Sequence, residues 1–115
     1  MILYGISNCD TIKKAKQWLS ENKVAYQFHD FRKDGLEADQ LNLWIDALGW
    51  EVFLNKRGTT WRKLAESDRA DLDSEKATAL MLKYPALIKR PVLVTTNDIL
   101  VGFSPNEYAR LLGRF

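Results

Sequence analysis

Cys9 is the residue of this chain best suited to covalent chemistry. It is the only cysteine in 115 residues, and it stands between a short apolar run and a stretch with helical spacing. A sulfur at the start of a helix lies beside free backbone N–H groups and the positive end of the helix dipole, which favour the thiolate. Because the thiolate is the form that attacks disulfides, Cys9 is the candidate nucleophile.

The residues beside Cys9 act on its sulfur in opposite directions. Asn8 and Thr11 can donate hydrogen bonds to the sulfur or to a bound oxyanion. Asp10 opposes them, because an adjacent carboxylate raises the pKa of a thiol. We expect the helix dipole to prevail, with Asp10 turned away to cap the helix. The alternative is a buried, inert Cys9, since free cysteine packs as a small apolar residue.

The elements around Cys9 predict a β-α-β opening. Residues 2–6 are apolar and rich in β-branched and aromatic side chains, which is typical of a buried strand. From Asp10 to about Asn22 the apolar residues recur at helical spacing. Residues 24–31 predict a second strand, and such a unit usually places its two strands parallel in one sheet.

The middle of the chain predicts helices. One amphipathic helix carries Leu48 on its apolar face and ends at Gly49. Thr59 or Thr60 is predicted to cap a short helix after a basic loop. A further helix is predicted to begin at Asp73 or Ser74, with its apolar residues on one face.

The end of the chain predicts a hairpin and a final helix. Residues 90–96 and 99–103 read as strands joined by a tight turn. Ser104 is predicted as the N-cap of the last helix, with Pro105 in its first position. The whole order predicts an α/β fold, a thioredoxin-like four-stranded mixed sheet flanked by helices. We expect one domain over residues 1–115, with a helical insertion lobe at about 36–84.

Within such a sheet, the segment at Pro91 is a second candidate site. By analogy of fold, a cis proline at this strand faces the active cysteine, so we expect Pro91 to be cis and Arg90 to lie near Cys9. A guanidinium there could bind a thiolate, a carboxylate or an oxyanion. The alternatives are an ordinary proline that begins a strand and an arginine on the solvated surface.

Composition excludes several classes of function. With 46% hydrophobic and 28% charged residues the chain has the balance of a soluble globular protein. A net charge of +2 is too small to predict nucleic-acid binding. One cysteine excludes an internal disulfide and a multi-cysteine zinc site, so we expect no metal and a reducing, cytoplasmic setting. We also expect no signal peptide and no membrane span.

Four segments together resemble a known family. YGISNCDTIKKAKQWL, NKRGTTWRKL, LIKRPVL and VGFSPNEY occur in the order and at the separations of the arsenate-reductase-related proteins. That family includes the ArsC arsenate reductases, the Spx regulators and the YffB-like proteins, and this chain is most similar to the YffB-like branch. The resemblance covers essentially the whole chain. It implies a thioredoxin-like fold in which Cys9 is the reactive cysteine, Arg90 the active-site arginine and Pro91 the cis proline.

Two departures from the family pattern argue against arsenate as the substrate. ArsC enzymes use an arginine in the middle basic segment, where this chain has Asn55 followed by Lys56 and Arg57, with Arg57 as the candidate substitute. A further ArsC arginine precedes a proline near the C-terminus, where this chain has Ser104. Because a highly charged oxyanion needs several fixed cations, the departure at Ser104 puts arsenate reduction in doubt.

The first hypothesis is an enzyme, a glutathione-dependent monothiol reductase. With no second cysteine in the chain, an external thiol must complete the cycle, and glutathione is the natural co-substrate. Its two carboxylates would be bound by Arg90 and by the Lys56–Arg57 segment. The other expected substrate-binding residues are Asn8, Thr11 and Pro91, and the substrate would be a small-molecule or protein disulfide or an oxyanion.

The second hypothesis is a binding module, a non-catalytic regulator that docks on RNA polymerase in the manner of Spx. Spx proteins often carry a Cys-x-x-Cys switch, whose second thiol is missing here at Ile12. The basic first helix, with Lys13, Lys14 and Lys16, would then form part of a docking surface. The alternative for these lysines is a solvated helix face.

Overall fold

The computed structural model describes residues 1–113, which divide into two compact units. The first, called here the sheet unit, comprises residues 1–33 together with residues 90–113. The second, called the helical unit, comprises residues 34–89. The segment predicted as an insertion, 36–84, lies inside the range of the helical unit.

Four strands form one mixed sheet, as the sequence predicted. They are β1 (Ile2–Gly5), β2 (Gln27–Asp30), β3 (Val92–Val94) and β4 (Ile99–Val101), in the spatial order β2-β1-β3-β4. β1 runs parallel to β2 and antiparallel to β3, and β3 runs antiparallel to β4. The predicted β-α-β opening and the closing hairpin are both confirmed.

Helices make up most of the remaining regular structure. They are α1 (Asp10–Glu21), α2 (Ala38–Leu48), α3 (Trp50–Phe53), α4 (Thr59–Lys63), α5 (Glu66–Arg69), α6 (Ser74–Lys83) and α7 (Pro105–Leu112), and a 3-10 turn spans Pro85–Leu87. α1 and α7 belong to the sheet unit, and the others belong to the helical unit.

The core of the sheet unit lies where α1 and α7 pack on the strands. Its buried residues are Leu3, Ala15, Leu19, Leu93 and Tyr108. The ring of Tyr108 forms T-shaped pairs with Trp18, at 5.6 Å between centroids, and with Phe103, at 5.0 Å. This packing fixes α1, whose first turn follows Cys9, against the sheet.

The first turn of α1 lies unusually close to β1. A Cβ atom added at Gly5 would overlap the side chain of Ile12, which is itself 1% exposed. Gly5 therefore permits the close approach of helix and strand that sets the position of the loop between them.

The helical unit has an apolar core of its own. α2, α3 and α6 contact one another, and the Trp44 and Phe53 rings stack at 6.0 Å between centroids. After α3 the chain is held by backbone hydrogen bonds: Asn55 N–H donates to the Leu87 carbonyl, and Lys89 N–H to the Phe53 carbonyl, each at 2.7 Å. These bonds fix the base of the basic segment that begins at Asn55.

Three expectations for these elements are corrected by the structure. The second strand does not extend over 24–31, because β1 offers only four partners, and residues 27–30 take them all. Gly58, and not Thr59 or Thr60, is the N-cap of α4. Leu48 is 41% exposed, because it is the last residue of α2 and the chain turns away at Gly49.

Candidate active site

Three strands have neighbouring ends at the same end of the sheet, where β1 and β2 finish and β3 begins. Gly5 pairs with Asp30 in the parallel register, and Tyr4 pairs with Val92 in the antiparallel register. The loop after β1, the turn after β2 and the segment before β3 therefore lie side by side. These three segments carry the reactive groups described below.

Cys9 occupies the N-cap position of α1. Its backbone is extended, with φ −108° and ψ 127°, and its carbonyl accepts the Lys13 N–H at 3.0 Å. The thiol is half-buried. The Cys9 side chain forms no capping hydrogen bond. The N–H groups of Ile12 and Thr11 nevertheless favour the ionised sulfur and so lower the pKa of Cys9. Full burial, the alternative considered for Cys9, is therefore excluded.

The expectation that Asp10 caps the helix is wrong. Asp10 is the first residue of α1 and is exposed, one position beyond the cap. The N–H groups that a capping carboxylate would accept are those of the second and third helical positions, and these are directed at the sulfur of Cys9. An ionised Cys9 thus takes the role that was predicted for Asp10.

Arg90 and Pro91 complete this part of the site. The peptide bond between them is cis, the isomer that the family resemblance implies. Pro91 is buried, and its carbonyl accepts the Gly102 N–H at 2.8 Å, which ties it to the segment after β4. Arg90 is half-buried and hydrogen-bonds the sulfur of Cys9. The structure thus places the Arg90 guanidinium close enough to Cys9 to act on its sulfur, with Pro91 next in the chain.

The pKa of Cys9 lies below the ordinary value for a thiol. Burial is the largest single influence and raises the pKa, because it disfavours the charged form. The N–H of Ile12, the guanidinium of Arg90 and the N–H of Thr11 lower the pKa by hydrogen bonding, and the charge of Arg90 lowers it further. The lowering influences prevail, and a lowered pKa favours the thiolate, which is the form of cysteine that attacks disulfides.

Sequence reasoning missed Asp30 and Ser7, which hold the loop that carries Cys9. Asp30 is 3% exposed, and its Oδ2 accepts the Ser7 hydroxyl at 2.6 Å and the Ser7 N–H at 3.1 Å. Asn8, between Ser7 and Cys9, has a left-handed backbone with φ 66° and is exposed. A hydrogen bond from the Asn8 side chain to the sulfur stays a prediction, while Thr11 contributes through its backbone. An aspartate at the end of a predicted strand was the available signal.

Lys56 and Arg57 lie together in the helical unit. They line a cleft of about 380 Å³ with Lys89, Asn55, Glu51 and Leu54. Asn55 Oδ1 accepts the Arg57 N–H at 3.0 Å, which makes the turn that presents the two cations. The Lys56 ammonium lies 5.9 Å from the centre of the Trp50 ring and 5.7 Å from that of Trp61. The cleft is suited to an anionic group with an apolar stem.

The described part of the chain contains neither a candidate metal site nor a candidate membrane-spanning helix. Within residues 1–113 there is no grouping of three or more His, Cys, Asp or Glu side chains placed to hold a metal ion. None of the helices in that range has the length and hydropathy needed to cross a membrane.

Comparison with known proteins finds relatives that match most of the chain in sequence and in fold. A sequence model of the ArsC family matches residues 4–111. The solved structure of a YffB protein is 52% identical, with a TM-score of 0.92, over 95% of this chain and 96% of that one. An arsenate reductase (ArsC) related protein from Brucella melitensis is 44% identical, with a TM-score of 0.78, over 96% and 92%. The global transcriptional regulator Spx of Listeria innocua is 28% identical over 97% of this chain and 86% of its own length.

Proposed function

The chain belongs to the ArsC family, as its four sequence segments predicted, and we propose that it is a monothiol reductase that uses Cys9 as nucleophile and glutathione as co-substrate. The observation that carries the proposal is the half-buried sulfur of Cys9, whose pKa is lowered by Arg90 and by the N–H groups in the first turn of α1. A stabilised thiolate that solvent can reach is the requirement for thiol–disulfide exchange.

The reaction proceeds by two exchanges. The Cys9 thiolate attacks the glutathione sulfur of a mixed disulfide between glutathione and a second thiol. A Cys9–glutathione disulfide forms, the original S–S bond breaks, and the second thiol leaves as a thiolate. A second glutathione, as its thiolate, then attacks the glutathione sulfur of that intermediate and releases the Cys9 thiolate. The two glutathione sulfurs end as glutathione disulfide. The first of them was already at the disulfide level, so the net change is that the incoming glutathione thiolate is oxidised while the second thiol is reduced.

Arg90 has two roles in this scheme. Its guanidinium stabilises the Cys9 thiolate before attack and after the second exchange, when the thiolate is the leaving group. The same planar group suits a carboxylate of glutathione. Lys56 and Arg57, which line the cleft of the helical unit, remain predicted to bind a carboxylate of glutathione.

Arsenate is not the substrate we propose. At the position before Pro105, where ArsC enzymes hold an arginine, the hydroxyl of Ser104 accepts the Glu107 N–H at 3.3 Å as the N-cap of α7. A capping serine supplies no cation for an oxyanion. A glutathione disulfide, whose reacting sulfurs are neutral, makes no such demand.

Mass spectrometry of the intact chain tests the proposal. Incubation with glutathione disulfide at neutral pH is expected to add one glutathionyl group to the wild type and none to Cys9→Ser, and reduced glutathione is expected to remove it. A glutathionylated peptide should then be reduced catalytically by the wild type with glutathione present. If no adduct forms while the chain is folded, the proposed function is wrong.

A second candidate function is supported by the Spx relative. That relative is a global transcriptional regulator, and under this candidate function the chain would bind RNA polymerase without turnover. Lys13 and Lys14 are exposed on α1, whereas the Lys16 ammonium lies 3.6 Å above the Phe28 ring centre and is less available for docking. Capture of RNA polymerase that survives Cys9→Ser and is lost when Lys13 and Lys14 are reversed to Glu would favour this candidate, provided that the wild type shows no turnover.

A further inference from the structure

Asp30 is the one charged side chain in residues 1–113 that is buried, and it links two loops at the edge of the sheet. Its Oδ1 accepts the Arg32 N–H at 2.8 Å and the Lys33 N–H at 3.3 Å, in the turn after β2. Its Oδ2 accepts both donors of Ser7, in the loop after β1. A buried carboxylate is costly unless it is hydrogen-bonded, and here both oxygens are used.

The link matters because the loop between Ser7 and α1 is short. After Ser7 the chain passes through the left-handed Asn8 and reaches the N-cap Cys9 directly. Any rotation about the Ser7 backbone displaces the sulfur relative to the N–H of Ile12 and the guanidinium of Arg90. Hydrogen bonds weaken steeply with distance and misalignment, so a small displacement lowers the stability of the thiolate.

We propose that Asp30, acting through Ser7, is a positioning residue for the Cys9 thiolate. Its carboxylate fixes the loop that presents the sulfur to the first turn of α1 and to Arg90. Asp30 touches no reacting atom. This inference deepens the proposed function, since it concerns the same sulfur, and it is tested on the sulfur without glutathione.

The direction in which the acidity of Cys9 changes distinguishes a positioning role of Asp30 from a purely electrostatic one. If Asp30 acted on Cys9 only as a nearby negative charge, its removal would make the thiol more acidic. If Asp30 positions the loop, its removal makes the thiol less acidic, because the sulfur loses its donors. Ser7→Ala removes one hydrogen bond of the link and no charge, so under positioning it shifts the thiol in the same direction as Asp30→Asn.

The experiment is a pH titration of Cys9 alkylation by iodoacetamide in folded protein. Ser7→Ala and Asp30→Asn are expected to move the midpoint to higher pH, with alkylation slowed about threefold at a pH below the midpoint. Ser7→Thr keeps the hydroxyl and should restore the wild-type profile. Ser20→Ala is the matched control, since Ser20 is exposed on α1. Circular dichroism verifies that each variant is folded, and Ser7→Ala serves if Asp30→Asn does not fold.

A profile for Ser7→Ala that coincides with the wild type overturns the inference, as does a midpoint for Asp30→Asn at lower pH. Failure of the wild type to take up glutathione overturns only the proposed function, because alkylation of Cys9 does not depend on glutathione.

Discussion

Replacement of Arg90 by alanine tests the electrostatic account of the sulfur most directly. Arg90 lowers the pKa of Cys9 both by a hydrogen bond and by its charge. Arg90→Ala removes both influences and leaves the N–H groups of Thr11 and Ile12 in place. We therefore expect the thiolate of the variant to be less stable and, for the same reason, intrinsically more nucleophilic.

The expected change in the alkylation rate follows from the strength of the interaction between Arg90 and the Cys9 sulfur. A hydrogen bond to a charged group contributes about 1.5–3 kcal/mol, and solvent screening of the half-buried Cys9 places this one near the lower end. A loss of about 1.4 kcal/mol is a tenfold change in the equilibrium between thiolate and thiol. Because nucleophilicity rises as acidity falls, alkylation should slow only roughly three- to fourfold at pH values below both midpoints. Above both midpoints it should become roughly threefold faster.

The assay is the rate of iodoacetamide alkylation across pH, compared with Arg90→Lys and Arg110→Ala. Arg90→Lys keeps the charge and should fall between wild type and alanine. Arg110 is exposed on α7, so Arg110→Ala should reproduce the wild-type curve and controls for the loss of one positive charge. The two curves of wild type and Arg90→Ala must cross. Superimposable curves, or a uniform decrease at every pH, would refute the assignment of Arg90 to the thiolate.

Three further predictions concern stability, each measured by urea unfolding. Hydrogen bonding by Ser7 holds the pKa of Asp30 below its usual 3.8, so the ionised carboxylate stabilises the fold fully above that pH and loses this effect as the pH falls. Asp30→Asn should therefore lower the free energy of unfolding by about 2 kcal/mol at pH 7. Below pH 3.8 the free energies of unfolding of the variant and the wild type should converge. The buried Tyr108 hydroxyl has no hydrogen-bond partner among residues 1–113, so Tyr108→Phe should leave stability unchanged or raise it slightly, and a marked loss would contradict this packing. Ser104→Ala should cost about 1 kcal/mol by removing a cap, whereas Thr59→Ala should cost little because Gly58 occupies that cap; equal losses would contradict the assignment.

The sequence predicted those features that depend on local pattern. The apolar run before Cys9 and the helical spacing after it predicted β1 and α1 with nearly their observed bounds. Ser104 caps α7 as expected, because a capping serine and a following proline form a short-range signal. The strand lengths were overestimated, since pairing partners and not propensity decide where a strand ends.

The parts that escaped prediction depend on contacts between distant segments. Nothing near Asp30 in the chain indicates that its carboxylate binds Ser7, because the two meet only through the parallel pairing of β1 and β2. The approach of Arg90 to Cys9 was expected only by resemblance to a fold. Its physical cause is the antiparallel register that sets Tyr4 opposite Val92, and a slip of one residue would move Arg90 by about 3.3 Å.

The groups that set the acidity of Cys9 all belong to the sheet unit, so thiol acidity and ligand binding can depend on different units. Arg90 and the N–H groups of Thr11 and Ile12 act on the sulfur, whereas Lys56 and Arg57 line a cleft of the helical unit. If acidity and ligand recognition are separate, Lys56→Ala should raise the KM for glutathione and leave the pH profile of Cys9 alkylation unchanged. Arg90→Ala should alter both. A changed alkylation profile in Lys56→Ala would contradict this separation and would require the helical unit to act on the sulfur itself.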